Sequence, residues 1–380
     1  MIVVGILVPP VAAHEAAEHE EPELLNHWRT QVHLLFQWAH LVAFGIWLGG
    51  TMAARRLPGV GLDALLFGSW GLFLVSLGTG GYNMEFSAAI PDAPDLFSLP
   101  ALIGRWPFGT AYILLVGVKQ ALLAVAVVWT AAVTVRHLRW PSGRDRRGLR
   151  AAFVGGSVAI GLTLAAVTAM VLVLHEAIDL APTPLHSLGG VVGPLGPDEL
   201  RAARLAGDLA PPPYQSDPRS TGAGFRLFAT PQAAGDALTR FGHLVGFAAW
   251  LGGNAASLLA SPSDRNRVVP QLWLALAIQA VTGAYQFMSW TPFAVAPYPW
   301  RLSAMVDFRF GHTYTLLMAL KLSLVALLIL GTAGLTAAAR RPLLRRTSWA
   351  LAALNVAAGF VLAYVTVALL LVHEGVDHAL

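Results

Sequence analysis

Long apolar runs separated by short polar connections dominate the chain. They lie near residues 31–54, 64–88, 110–136, 151–176, 236–260, 271–290, 311–338 and 348–374. Each approaches or exceeds the roughly 20 residues that a helix needs to cross a hydrocarbon layer of about 30 Å. Lipid offers the backbone no hydrogen-bond partners, so such runs are read as helices. The pattern predicts an all-α polytopic bundle of eight transmembrane helices. Residues 1–29 precede it as an outer segment, whose "MIVVGILVPPVAA" resembles a short signal remnant ending in small residues but lacks a basic start. Residues 180–235 are rich in Pro and Gly and read as an outer linker. Within it, "PDELRAARLAGDL" predicts a short helix with Asp198 as its N-cap.

The apolar runs fall into two sets of four that repeat each other. "HLVAFGIWLGG" at 40–50 is answered by "HLVGFAAWLGG" at 243–253, and "GTGGYNMEF" at 78–86 by "VTGAYQFMS" at 281–289. "FGTAYILLVGVK" at 108–119 is answered by "FGHTYTLLMALK" at 310–321, and "LVLHEAIDL" at 172–180 by "LLVHEGVDH" at 370–378. The expected organisation is therefore a first four-helix repeat over 30–179 and a second over 236–380. An even number of spans in each gives both the same orientation, as parallel repeats about an axis along the membrane normal.

Charge sets the orientation. The connections after spans one, three, five and seven hold 14 Arg against three acids, Asp63, Asp145 and Asp264, while the remaining ends and loops hold nine Arg against 18 acids. Basic connections stay cytoplasmic, so both termini are expected outside a bacterial-type inner membrane. The net charge of +4 thus hides a basic inner face and an acidic outer one that attracts cations. With 56% hydrophobic and 12% charged residues, a water-soluble domain is excluded. No cysteine is present, which removes disulfides and thiolate metal sites. The basic loops are short and carry no aromatic-basic module, so nucleic acid is not an expected partner.

Histidine is distributed unevenly: of twelve, only His137 falls on the expected cytoplasmic side. His40 and His243 sit deep in spans one and five, where an ionisable group is costly unless paired or metal-bound. A neutral histidine bonding between helices is the plainer alternative. His175 with Asp179, and His373 with Asp377, lie one helical turn apart at the outer ends of spans four and eight, while Glu176 and Glu374 point elsewhere. A His and a carboxylate so placed can clamp copper or another borderline metal, although a polar helix end would look the same. Lys119 and Lys321, the only lysines, occupy matching depths in spans three and seven and suit a carboxylate or a haem propionate. Trp47 and Trp250, each followed by Leu-Gly-Gly, fit close helix packing. Met84, Met288 and Met305 could be soft copper ligands or core filler. His14 and His19, set among acids, could collect cations weakly.

The H-x6-W-x-G-G element of span one, the T-G-x-Y that closes span two and the F-G-x4-L-L-x3-K of span three resemble the CopD copper-resistance membrane family, over most of each four-helix set. That resemblance implies an inner-membrane protein of copper uptake or tolerance. The histidine and lysine layout is also similar, more distantly, to the HemJ-type membrane proteins associated with haem b, and the Arg55–Pro58 stretch is loosely similar to theirs. HemJ-type proteins are single four-helix units, whereas this chain is doubled.

Three functions follow as expectations. The first is copper handling from the outer side, with His175, Asp179, His373 and Asp377 receiving the ion, His40 and His243 lying further in, and a periplasmic carrier as possible donor. The second is a b-type haem protein in which His40, His243, His175 and His373 are candidate ligands, Lys119 and Lys321 sit near propionates, and a cytochrome is the partner. The third is a structural subunit of a respiratory assembly. Phosphate-binding loops, nucleophile elbows and H-E-x-x-H pairs are absent from the sequence, so transport or metal handling is expected before catalysis.

Overall fold

A computed structural model describes residues 28–86, 109–139, 143–180, 231–289 and 310–379, together with residues 25, 225, 228 and 229. Eight long helices account for nearly all of them: α1 (Trp28–Ala54), α2 (Leu62–Phe86), α3 (Gly109–Arg139), α4 (Gly143–Leu180), α5 (Pro231–Leu259), α6 (Pro262–Ser289), α7 (Gly311–Ala339) and α8 (Arg345–Ala379), the last preceded by a 3-10 turn at Pro342–Leu344. There is no strand among the described residues. The N-terminal segment with His14 and His19, the expected linker helix after Asp198, and Met305 lie outside them.

Six helices, α1, α2, α3, α4, α7 and α8, contain stretches long and apolar enough to cross a membrane. The protein is accordingly a multi-pass membrane protein. Helices α5 and α6 coincide with the expected fifth and sixth spans but are more polar, since α5 carries Asp236, Arg240 and His243 and α6 carries Asp264, Arg265, Arg267, Gln271 and Gln279. Helix α6 also starts nine residues before the apolar run expected from 271. Ser261 is its cap: the hydroxyl accepts from the Asp264 N–H at 3.3 Å and donates to Oδ2 of Asp264 at 2.8 Å. Pro262 follows in the first helical position, where its missing N–H costs nothing. Pro270 then lies inside the helix on an exposed face.

The centre of the bundle is the crossing of α1 and α5. A side chain on Gly49 would fall onto the Ala248 carbonyl, and one on Gly252 onto the backbone of Gly49 and Gly50. The two duplicated Gly-Gly pairs therefore let the helices touch backbone to backbone, which is how small residues promote packing where lipid supplies no hydrophobic drive. The neighbouring tryptophans are buried, Trp47 at 4% and Trp250 at 2% exposure. Each packs beside a glycine of a fourth helix, Trp47 against Gly161 of α4 and Trp250 against Gly359 of α8. The packing role expected for these tryptophans matches that arrangement.

Helices α3 and α7 lie at the periphery. Leu114, Val118, Val125 and Val128 are exposed on α3, as are Leu316, Leu322, Leu327 and Leu330 on α7. This apolar surface is the kind that hydrocarbon covers.

The fourth helix of each set reaches across to the other set at the end opposite the arginine-rich connections. On α8, Val367, Ala368 and Leu371 pack with Leu34 and Leu41 of α1, and the Tyr364 hydroxyl donates to Oε1 of Gln31 at 2.5 Å. Trp38 Nε1 of α1 donates to the Phe360 carbonyl at 2.8 Å. On α4, Val171, Val173 and Leu174 pack with Ala233 and Ala237 of α5.

At the arginine-rich end, basic side chains close helix termini. Arg150 donates to the carbonyls of Ala54, Leu57 and Val60, at 2.5, 2.8 and 3.0 Å. Arg265 donates to the Ser257 carbonyl at 2.9 Å and to the Ser348 hydroxyl at 2.9 Å. Both serve the C-terminal ends of α1 and α5, where unpaired carbonyls and the helix dipole favour a cation. His137, 6% exposed, donates from Nε2 to Oδ1 of Asp63 at 2.6 Å and ties α3 to α2.

Candidate functional site

The same polar contacts recur in the two sets of helices. His40 on α1 lies with its Nδ1 3.1 Å from the Thr79 hydroxyl on α2, and His243 on α5 with its Nδ1 3.0 Å from the Thr282 hydroxyl on α6. In both cases the partners are 39 residues apart. Each ring edge also meets a glycine. A side chain on Gly80 would lie 3.1 Å from Cε1 of His40, and one on Gly283 3.4 Å from Cε1 of His243. Trp70 Nε1 donates to Thr134 at 3.2 Å, and Trp273 Nε1 to Thr336 at 3.0 Å.

The threonines determine the tautomer of the histidines. A hydroxyl has one proton to donate. Thr79 directs its proton to the Val75 carbonyl at 2.6 Å, and Thr282 to the Ile278 carbonyl at 2.7 Å. Each hydroxyl oxygen can then only accept from the imidazole, so Nδ1 carries the ring proton in both histidines and Nε2 keeps its lone pair. Around His40 the Ser76 carbonyl is a further acceptor for the ring, and it lies 3.5 Å from the Thr79 hydroxyl. Around His243, Gln279 Nε2 donates to the histidine's own carbonyl at 2.5 Å and fixes the backbone that carries the ring. An imidazole anchored through Nδ1–H, with the lone pair on Nε2, is the arrangement that metal-ligating histidines use.

Each histidine also lies within electrostatic reach of a lysine of its own set. The ammonium of Lys119 on α3 acts electrostatically on His40, and that of Lys321 on α7 acts on His243. A positive charge beside the ring opposes a bare cation at Nε2 and favours a ligand that brings negative charge of its own.

The remaining candidates stand differently. The backbone is helical through His175 and Asp179 at the end of α4, and through His373 and Asp377 at the end of α8. Their side chains lie outside the described residues, as do those of Glu176, Glu374, Met84 and Met288. Among the described residues, no group of three or more His, Asp or Glu side chains is placed to hold a metal ion.

Sequence reading overlooked the layer above the repeated histidines. On α1, two turns before His40, His33 is 4% exposed and hydrogen-bonds through Nε2 to the Gln37 amide at 2.7 Å. Its Nδ1 is buried without a hydrogen-bond partner among the described residues. Tyr82 of α2 lies beside it, with ring centroids 6.2 Å apart. At the corresponding place in the second set stand Asp236, Arg240 and Tyr285: the Tyr285 hydroxyl donates to Oδ1 of Asp236 at 3.4 Å, and Arg240 acts on the same carboxylate. The two sets agree at the deep histidines and differ one layer further out.

Comparison with protein-family models, curated proteins and solved structures finds no match for the chain.

Proposed function

We propose that the protein is an eight-span inner-membrane protein made of two parallel four-helix repeats, with its arginine-rich end in the cytoplasm, and that it holds haem b at His40 and His243. The observation that carries this reading is the pair of imidazoles whose Nδ1–H is committed to a threonine, which leaves the ring lone pair on Nε2, each within electrostatic reach of a lysine. In this reading His40 and His243 would hold the haem iron, and Thr79 and Thr282 would keep the rings in the ligating tautomer. Lys119 and Lys321 offset propionate charge, and Gly80 and Gly283 leave the ring edges uncrowded. When bound, haem supplies a one-electron couple. An electron-transfer role suits the acidic outer face, which would dock a basic carrier such as a cytochrome.

Copper handling is the second reading, favoured by the His–Asp pairs His175/Asp179 and His373/Asp377 at the outer helix ends and by the resemblance of the repeated motifs to the CopD family. In it the deep histidines are the inner step of an outer binding route, and the lysines work against occupancy there.

Optical spectroscopy of the detergent-purified protein, with metal analysis, decides between the two. A Soret band that is lost in the His40→Ala/His243→Ala variant supports haem. Copper that co-purifies without a chromophore, and is lost in the same variant, moves the assignment to the second reading.

A further inference from the structure

The connections that lead into the two fourth helices, α4 and α8, differ in how their positive charge is balanced. In the first set Asp145 lies in sequence between Arg144 and Arg146. Asp63 bonds to His137 and lies within electrostatic reach of Arg146, and Arg150 is committed to the carbonyls that end α1. In the second set the connection reads ARRPLLRR over 339–346, and the chain holds no Asp or Glu between Asp307 and Glu374. Arg340, Arg341 and Arg346 are exposed, and none of the three has a carboxylate partner among the described residues. Asp264, which starts α6 at the same end, is already held by Ser261 and Arg267 at 2.8 and 3.4 Å.

Apolar surface begins directly beside these cations. Leu343, in the 3-10 turn between Arg341 and Arg346, is 98% exposed. The turn is closed by its own backbone, since the Arg341 N–H donates to the Ala338 carbonyl at 3.1 Å and the Leu344 N–H to the Arg341 carbonyl at 3.0 Å. On α7, Leu330, Ala333, Ala337 and Arg340 are exposed, and on α8 so are Arg346, Ala350, Leu354, Ala357 and Val361. Positions three and four apart share one helix face, so each helix carries an apolar stripe that ends in an arginine. Trp349, half exposed, stands one turn from Arg346. At 1.5 Å per residue, Val361 lies about 22 Å along the helix from Arg346. That exceeds the roughly 15 Å of hydrocarbon in one leaflet, so the α8 stripe spans the depth that one acyl chain occupies.

We infer that the α7–α8 connection is a docking site for an anionic phospholipid, with the headgroup phosphate on Arg340, Arg341 and Arg346 and an acyl chain along the α8 stripe. Guanidinium groups match phosphate oxygens through paired N–H bonds, and tryptophan favours the headgroup level where Trp349 would then lie. A water-soluble anion would balance the arginines but would leave Leu343 and the stripe below it uncovered, whereas a lipid covers both. The connection of the first set has acids of its own and is not an equivalent site. The duplicated chain is therefore asymmetric in lipid binding even though its deep histidines are alike.

This site is independent of what the deep histidines hold. The full-length protein, stripped of lipid in detergent, is titrated with phosphatidylglycerol and separately with phosphatidylcholine of the same acyl chains, and bound lipid is counted by native mass spectrometry. An arginine beside an anionic headgroup favours it by about fivefold, so about one phosphatidylglycerol per chain should bind in preference to phosphatidylcholine by a factor on the order of 10 or more. The triple variant Arg340→Gln/Arg341→Gln/Arg346→Gln should lose this preference, and replacement of the same three by Lys should keep most of it. Leu343→Glu places a carboxylate among the arginines at a position that packing does not constrain. It should weaken phosphatidylglycerol binding by about fivefold, and it keeps the test readable if the triple variant folds poorly. Arg146→Gln/Arg147→Gln should leave the preference unchanged. Equal binding of the two lipids, a preference that survives the triple variant, or an equal loss in Arg146→Gln/Arg147→Gln would each overturn the inference. Displacement of the lipid by glycerol 3-phosphate would do so as well, because it would mark a site for a soluble anion.

Discussion

Replacing Thr282 with Val removes the acceptor for His243 while preserving the shape of the side chain. In the native protein the hydroxyl accepts a hydrogen bond from the imidazole Nδ1–H at 3.0 Å and donates one to the Ile278 carbonyl at 2.7 Å. Valine leaves the Nδ1–H of a partly buried ring without a partner inside an apolar bundle. That costs about 1–3 kcal/mol if the ring stays as it is. The ring can instead shift its proton to Nε2, which removes the ligating lone pair. Either way ligand affinity at His243 should fall about 10–100-fold, the range seen when the group behind a ligating histidine is lost. Thr282→Ser keeps the acceptor and should restore most of the affinity. Two readouts test this: titration of the ligand into the purified protein, and nitrogen-15 NMR of labelled histidine, which distinguishes the tautomers. The native spectrum should show His243 protonated at Nδ1. An Nε2-protonated ring in the native protein, or a Thr282→Val variant with unchanged affinity and tautomer, would refute the reasoning.

Other consequences follow from the same contacts. Gly252→Ala forces apart a crossing in which the new methyl would fall onto the backbone of Gly49 and Gly50, so it should cost at least the 1–3 kcal/mol typical of overpacking and lower the detergent melting temperature. Trp250→Phe removes a hydrogen bond to Thr332 of 3.2 Å, whereas the Nε1 of Trp47 is buried without a partner among the described residues. Trp250→Phe should therefore be the more damaging of the two in a paired melting experiment, by about 1 kcal/mol. Lys119→Met separates the two readings of the deep site by sign: it should weaken retention of a propionate-bearing haem, and strengthen binding of a bare cation, in equilibrium titrations of each.

Much of the fold was legible in the hydrophobic pattern, because a span must be continuously apolar and its ends are marked by charge. The described parts of all eight expected runs fall on helices, six of which are long and apolar enough to cross a membrane. The early start of α6 was not read, since an apolar run does not include Ser261 and Pro262, although that pair is itself a helix-start signal. His40 and His243 stood out because they open a repeated motif. Thr79 and Thr282 were present in the repeated T-G-x-Y elements, but their role required the geometry of the neighbouring carbonyls. His33 was overlooked because a search for repeats weighs what the two sets share, and Asp236 stands at its place. That α8 packs on α1 could not be read at all: the contact joins segments more than 300 residues apart, and neither carries a local mark of its partner.

The most direct measurement is the visible spectrum of the purified native protein, oxidised and reduced, with iron, copper and zinc determined on the same sample and on the His40→Ala/His243→Ala variant. A Soret band with about two iron atoms per chain, one for each histidine, absent from a variant that remains folded and inserted, is the predicted result. A colourless native protein without iron, or a chromophore that survives loss of both histidines, would contradict it.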